Sequence, residues 1–98
     1  MKKGSHVVCI DDSIEPHKLE EISKDFQQWV TKGEHYIIRE IYDNDDIVIG
    51  ILLEEIHNKK LFMGIINRVQ EPAFAMWRFR ELLPHEIEVN EIEMVLDL

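Results

Sequence analysis

Runs of apolar residues, broken by polar clusters, divide the chain into a few short elements. The longest near-continuous apolar run spans 46–56 and holds Ile47, Val48, Ile49, Ile51, Leu52 and Leu53 around one glycine, Gly50. Both parities are apolar, so a strand here is covered on both faces. Its β-branched residues suit a pleated, packed surface. We read it as the central strand of a small β domain, with Gly50 marking a bend, a bulge or a close backbone approach. Before it, 34–42 alternates: Tyr36, Ile38, Glu40 and Tyr42 share one face, and His35, Ile37, Arg39 and Ile41 share the other. The polar cluster 43–46 between these runs predicts an antiparallel hairpin.

The remaining elements follow from the same pattern. Residues 6–10 form a short first strand that ends at Asp11-Asp12-Ser13, a turn-forming cluster. A helix is predicted over 16–31. Pro16 suits its first turn, Ser13 or Glu15 lies at the cap, and Glu20 and Glu21 favour the early dipole. Leu19, Ile22, Phe26, Trp29 and Val30 make one stripe for packing on the sheet, and Gly33 suits a left-handed cap. Residues 61–66 read as either a strand or a loop on the core, and 67–72, ending in Pro72, as a connection. Residues 73–80 read as a strand, with Ala75, Trp77 and Phe79 pointing one way and Phe74, Met76, Arg78 and Arg80 the other. Pro84 stops regular structure. Residues 85–98 form an edge strand or a tail whose acids discourage unplanned pairing, and which could cover an edge or pair with another copy.

Composition narrows the class. Ninety-eight residues make one small domain, 1–98, and 45% apolar with 32% charged residues mark it as globular. No apolar run approaches the ~18 residues of a membrane span. Lys2 and Lys3 are followed by only four apolar residues before Asp11, which does not make a secretory signal, so a cytoplasmic protein is expected. Twenty acids against 11 bases give a net charge of -9, which repels phosphate backbones and counts against nucleic-acid binding. Cys9 is the sole cysteine, so no internal disulfide and no cysteine-based zinc site forms. Its apolar and acidic neighbours mark it as a small buried hydrophobe.

Candidate chemistry is sparse. His6, His17, His35, His57 and His85 are scattered without zinc spacing. Glu55 and His57 would face the same way on a strand, which makes them weak candidates for a metal or an acid–base pair; an exposed strand end explains them as well. The acids of 43–46 lack the glycine and the distal glutamate of a calcium loop. No Ser–His–acid pattern or phosphate loop occurs, so no catalytic residue and no cofactor are assigned. Arg39, Arg78 and Arg80 suggest either a cationic patch that grips a carboxylate or phosphate, or cross-strand pairing with Glu40, Glu54 and Glu55. Tyr36, Tyr42 and Trp77 are aromatics that could remain exposed. The binding candidates are Tyr36, Arg39, Trp77, Arg78 and Arg80.

Several pieces together resemble a known group: Val8-Cys-Ile-Asp-Asp-Ser13, Trp29-Val-Thr-Lys-Gly33 with Tyr36-Ile-Ile-Arg39, Gly50-Ile-Leu-Leu-Glu-Glu-Ile56, and Phe74 with Arg78-Phe-Arg80. The chain resembles small uncharacterised proteins of Bacteroidetes genomes and their phages or mobile elements. The resemblance implies a mainly β fold with one α-helix: a small Src-homology-3-like barrel of about five strands, with the helix at 16–31 inserted between the first two. It carries no activity to particular residues. The expected function is a non-enzymatic protein-interaction module that binds a protein partner or itself as a homodimer. The alternatives are an acidic inhibitor occupying a nucleic-acid site on a host protein, and a small metal-dependent enzyme.

Overall fold

The computed structural model describes residues 1–44, 47–63 and 67–87. Among the described residues, six strands and one short helix make up a mainly β fold: β1 (His6–Cys9), α1 (Leu19–Asp25), β2 (His35–Asn44), β3 (Ile47–Leu53), β4 (Leu61–Met63), β5 (Arg68–Gln70) and β6 (Phe79–Glu81). Short 3-10 turns occupy Pro16–Lys18, which leads into α1, and Met76–Arg78, which leads into β6. The strands form a four-stranded sheet in the order β3-β2-β1-β6 and a separate two-stranded sheet, β4-β5. All the ladders are antiparallel.

The apolar run at 46–56 becomes β3, buried on both faces at Ile51, Leu52 and Leu53, as its double parity requires. It is not the central strand. β2 covers one side along its length, and on the other side only Phe74 pairs with it, exchanging both backbone hydrogen bonds with Ile51 at 2.9 Å. The centre of the sheet is β2 with β1. From Phe74 the chain passes through the 3-10 turn to β6, which pairs with β1. The segment 74–81 therefore touches both edges of the sheet without closing it into a barrel.

Gly50 acts through close approach. A Cβ built on it would lie 2.8 Å from the Cβ of Ala73 and 3.4 Å from the carbonyl oxygen of Phe74. The missing side chain is what lets 73–74 reach the ladder at Ile51.

The hairpin of β2 and β3 forms as expected, with register shifts between Ile38 and Glu40 and between Tyr42 and Asp43 that alternation did not reveal. Ile38 pairs with Leu53 and Glu40 with Leu52, so Arg39 is an extra residue in a bulge. The bulge reverses parity: Ile38 faces the core, Glu40 is exposed, and Ile41 packs against the core cluster. Of the polar turn expected between the strands, residues 45 and 46 lie outside the described residues. So do 64–66 and the tail from 88 onward, including most of the expected edge strand. Residues 84–87, at its start, form a helical turn instead.

The helix is much shorter than its apolar stripe suggests. α1 ends at Asp25, Phe26 is already extended (φ -110, ψ 102), and no residue of α1 is buried. A seven-residue helix has little stability of its own, so tertiary contacts decide its end. Released from the helix, Phe26 and Trp29 both reach Phe74, at ring-centre distances of 5.0 and 5.4 Å, and Val30 enters the core. Gly33 is not a helix cap: at φ +90 it turns the chain into β2, eight residues after α1.

Two further expectations change. Residues 68–70, read as connection, form β5 on β4. The strand expected over 73–80 is broken by the 3-10 turn, which buries Phe74, Arg78 and Phe79 and turns Trp77 outward.

Candidate functional site

Aromatic and cationic side chains rise from the core to the surface beside the 11–13 loop. Phe74 is fully buried, and the Trp29 ring meets it edge-on. The guanidinium carbon of Arg78 lies 4.9 Å from the Trp29 ring centre and 4.4 Å from that of Trp77. Arg78 is itself buried, and its Nη1 donates to the carbonyls of Asp11 (3.2 Å) and Ser13 (2.7 Å). The Asp11 carboxylate lies 3.7 Å away. A cation over an indole face is attracted by the ring quadrupole, and the fixed fork of arginine suits such stacking. Trp77, 57% exposed, ends the series at the surface.

The loop beneath it is held from several directions. The Trp29 indole N–H donates to the Asp12 carbonyl at 3.0 Å, and the Lys32 amide donates to the Asp12 carboxylate at 3.0 Å. The Ser13 amide donates to the Asp11 carboxylate at 2.9 Å, and the Ser13 hydroxyl donates to the same oxygen. These Ser13 hydrogen bonds, aided by Arg78 and Lys32, hold the Asp11 carboxyl below its ordinary pKa. Cys9, at the end of β1, behaves oppositely: burial pushes its thiol above the ordinary value, and it packs as a small buried hydrophobe.

A second place forms around the bulge at Arg39. Its Nη2 donates to both oxygens of Glu71 at 3.0 Å and to the Ile56 carbonyl at 3.2 Å, while Nε donates to the Leu53 carbonyl at 2.9 Å. Glu71 is buried and also accepts from the Asn58 amide at 3.1 Å. Next to this network is an open cleft of ≈ 270 Å³, lined by Arg39, Glu40 and Tyr42 of β2, Leu52 of β3, Lys60, and 69–71. Beyond it stands the β4–β5 hairpin, on which Phe62 pairs with Val69. Both are outward, at 67% and 60% exposure.

The five binding candidates therefore separate. Trp77 and Arg78 stack together, and Arg39 belongs to the other place. Arg80 pairs with Glu86 at 3.1 Å and Arg78 with Asp11, so the two share no anion, and the acids they meet are not the Glu40, Glu54 or Glu55 of the cross-strand alternative. Tyr36 is buried, contrary to the expectation of an exposed ring; its hydroxyl accepts from the Thr31 amide at 3.0 Å, and its ring meets Phe79 edge-on. Glu55 and His57 are likewise engaged separately. Glu55 accepts from the Ile37 amide through both oxygens (3.0 and 3.1 Å), and the His57 Nε2 lies 3.2 Å from the Glu54 carbonyl. Among the described residues, no group of three or more His, Cys, Asp or Glu is placed to hold a metal ion. None of the described helices is long and apolar enough to cross a membrane.

Sequence reasoning missed Asn58, Glu71, Phe62 and Val69. Asn58 and Glu71 look like ordinary turn and loop residues, and only their burial reveals their role. Phe62 lies in a run read as a strand or a loop on the core, and Val69 in one read as a polar connection, yet the hairpin turns both outward. Comparison with protein-family models, curated proteins and solved structures gives no match for the chain.

Proposed function

We propose that this chain is a non-enzymatic protein-interaction module whose contact surface is centred on Trp77. The observation that carries the reading is the exposed indole stacked on a buried Arg78 whose Nη1 is anchored to two loop carbonyls. A large aromatic that is ordered before binding loses little entropy on association, and tryptophan and arginine dominate interface energetics. The adjacent Asp11, kept ionised by Ser13, and the overall charge of -9 favour a partner segment that carries positive charge.

On the same reading the fold is an open relative of the Src-homology-3-like barrel. What supports it is the chain order: β1, a long excursion containing α1, the β2–β3 hairpin, a bridge at Phe74, a 3-10 turn, and β6 returning to β1. This reading groups the chain with the small Bacteroidetes phage or mobile-element proteins that its motifs resemble.

The test is affinity purification from the native host with the wild-type chain and Trp77→Ala in parallel. A partner retained by the wild type, weakened by salt and lost from the variant is expected. Identical recoveries with the two proteins would overturn the proposal.

A further inference from the structure

The β4–β5 hairpin differs in character from the rest of the chain. Residues 59–70 carry Lys59, Lys60 and Arg68 and no acid, whereas the whole chain stands at -9. All three bases are exposed and none has an ion-pair partner among the described residues. Arg39, Arg78 and Arg80, by contrast, each pair with an acid. Between these bases stands the Phe62–Val69 cross-strand pair, and Val69 and Lys60 continue into the cleft beside Leu52 and Tyr42. Among the described residues, the one exposed acid of the cleft is Glu40, and it is occupied by Lys3 at 3.4 Å. An isolated two-stranded ribbon is at best marginally stable in water, and this one presents its apolar pair outward.

The same chain carries the complementary pattern. Residues 88–98 contain Glu88, Glu91, Glu93 and Asp97, no base, and the apolar Val89, Ile92, Met94, Val95, Leu96 and Leu98. We propose that the hairpin and its cleft are a self-association surface, and that the occupant is segment 88–98 of a second copy of this chain. Acids on that segment meet Lys59, Lys60 and Arg68, and its apolar residues cover Phe62, Val69 and Leu52. A long polyanion fits less well, because the acidic remainder of the protein repels it.

Position allows exchange between two copies. Glu86 is held by Arg80 of β6, at the edge of the sheet opposite β3, whereas the cleft is built on β2 and β3. Eleven residues reach about 36 Å when extended, enough to cross to a neighbour. A two-fold arrangement fills both hairpins at once. The segment and the hairpin together supply roughly 20 residues a side, the scale of a specific interface.

The test is analytical ultracentrifugation of the full chain. A dimer that weakens with added salt is expected. Reversing the hairpin charges (K59E, K60E and R68E together) or those of the segment (E88K, E91K and E93K together) should each give a monomer. Mixing the two variants should restore a dimer, because each hairpin then faces a segment of opposite charge. Phe62→Ser, at an exposed position and without a charge change, should weaken the dimer at least tenfold. A full chain that stays monomeric at all concentrations, a dimer indifferent to these changes, or a mixture that fails to reassociate would overturn the proposal.

Discussion

The Asn58 side chain pairs with the backbone of Gln28 as another peptide unit would: its Oδ1 accepts from the Gln28 amide at 2.8 Å, and its Nδ2 donates to the Gln28 carbonyl at 3.1 Å. Nearby, the Lys59 amide donates to the Gln27 side chain at 2.9 Å. These contacts satisfy the backbone just after α1, where the chain has left the helix. They are one reason that the chain runs extended through Phe26–Trp29.

Asn58→Ala should therefore destabilise the protein by about 1–2 kcal/mol, since both Gln28 groups lose their partner. Asn58→Asp should cost more, because a carboxylate cannot donate to the Gln28 carbonyl and would sit near buried Glu71. Urea unfolding curves with an unchanged slope would measure both.

Arg39 and Glu71 should behave as a coupled pair. Removing only the arginine, as Arg39→Met, leaves a buried carboxylate with the Asn58 amide as its remaining partner. A cost of about 2–3 kcal/mol is expected, below the full penalty of a buried pair because Arg39 is partly exposed. Arg39→Met with Glu71→Leu should lose less than the sum of the single changes, and a double-mutant cycle reads the difference.

Gly50→Ala should cost about 1–3 kcal/mol through overpacking against Ala73. Adding Ala73→Gly should recover part of that loss, although Ala73→Gly alone destabilises. If the two effects simply add, the clash is not what makes glycine necessary at position 50.

Cys9 should resist alkylation in the native protein and react on unfolding, because it is buried and its thiol is held protonated. The linkage sign follows. Above the ordinary thiol pKa of about 8.5 the unfolded chain loses this proton first, while the native state keeps it. Stability supplied by Cys9 is thus complete below that pH and declines as pH rises through the higher native value, by at most about 1.4 kcal/mol per pH unit. Cys9→Ala should lack this alkaline decline, whatever its baseline. Comparing unfolding free energies of the two proteins between neutral and alkaline pH checks it.

Trp77 and Arg78 should separate binding from stability. Trp77→Ala removes a mostly exposed ring and should change stability by less than about 1 kcal/mol. Arg78→Met deprives two loop carbonyls of their donor and should cost about 2–3 kcal/mol. Thermal melts of the two variants should therefore differ clearly, with the arginine variant melting lower.

The sequence by itself determined the local elements whose stability comes from continuous burial or simple alternation. The double-parity run at Ile51–Leu53 can only be a strand covered on both faces. The run before it pairs with it across polar residues, and His6–Cys9 is apolar enough to be buried as a strand. A mainly β class with one helix was legible for this reason. Tertiary structure decided everything that depends on which residues meet. The stripe through Phe26 and Trp29 fits a helix, but Phe74 and Asn58 offer more to an extended chain. Alternation through Glu40 fails because a bulged Arg39 reverses parity to reach Glu71. Arg78 and Arg80 look alike in sequence, yet a 3-10 turn buries one against two indoles and leaves the other to Glu86. Periodicity records how much of each segment is buried. It carries no information about contacts between residues far apart in the chain, and both candidate surfaces of this protein are made of such contacts.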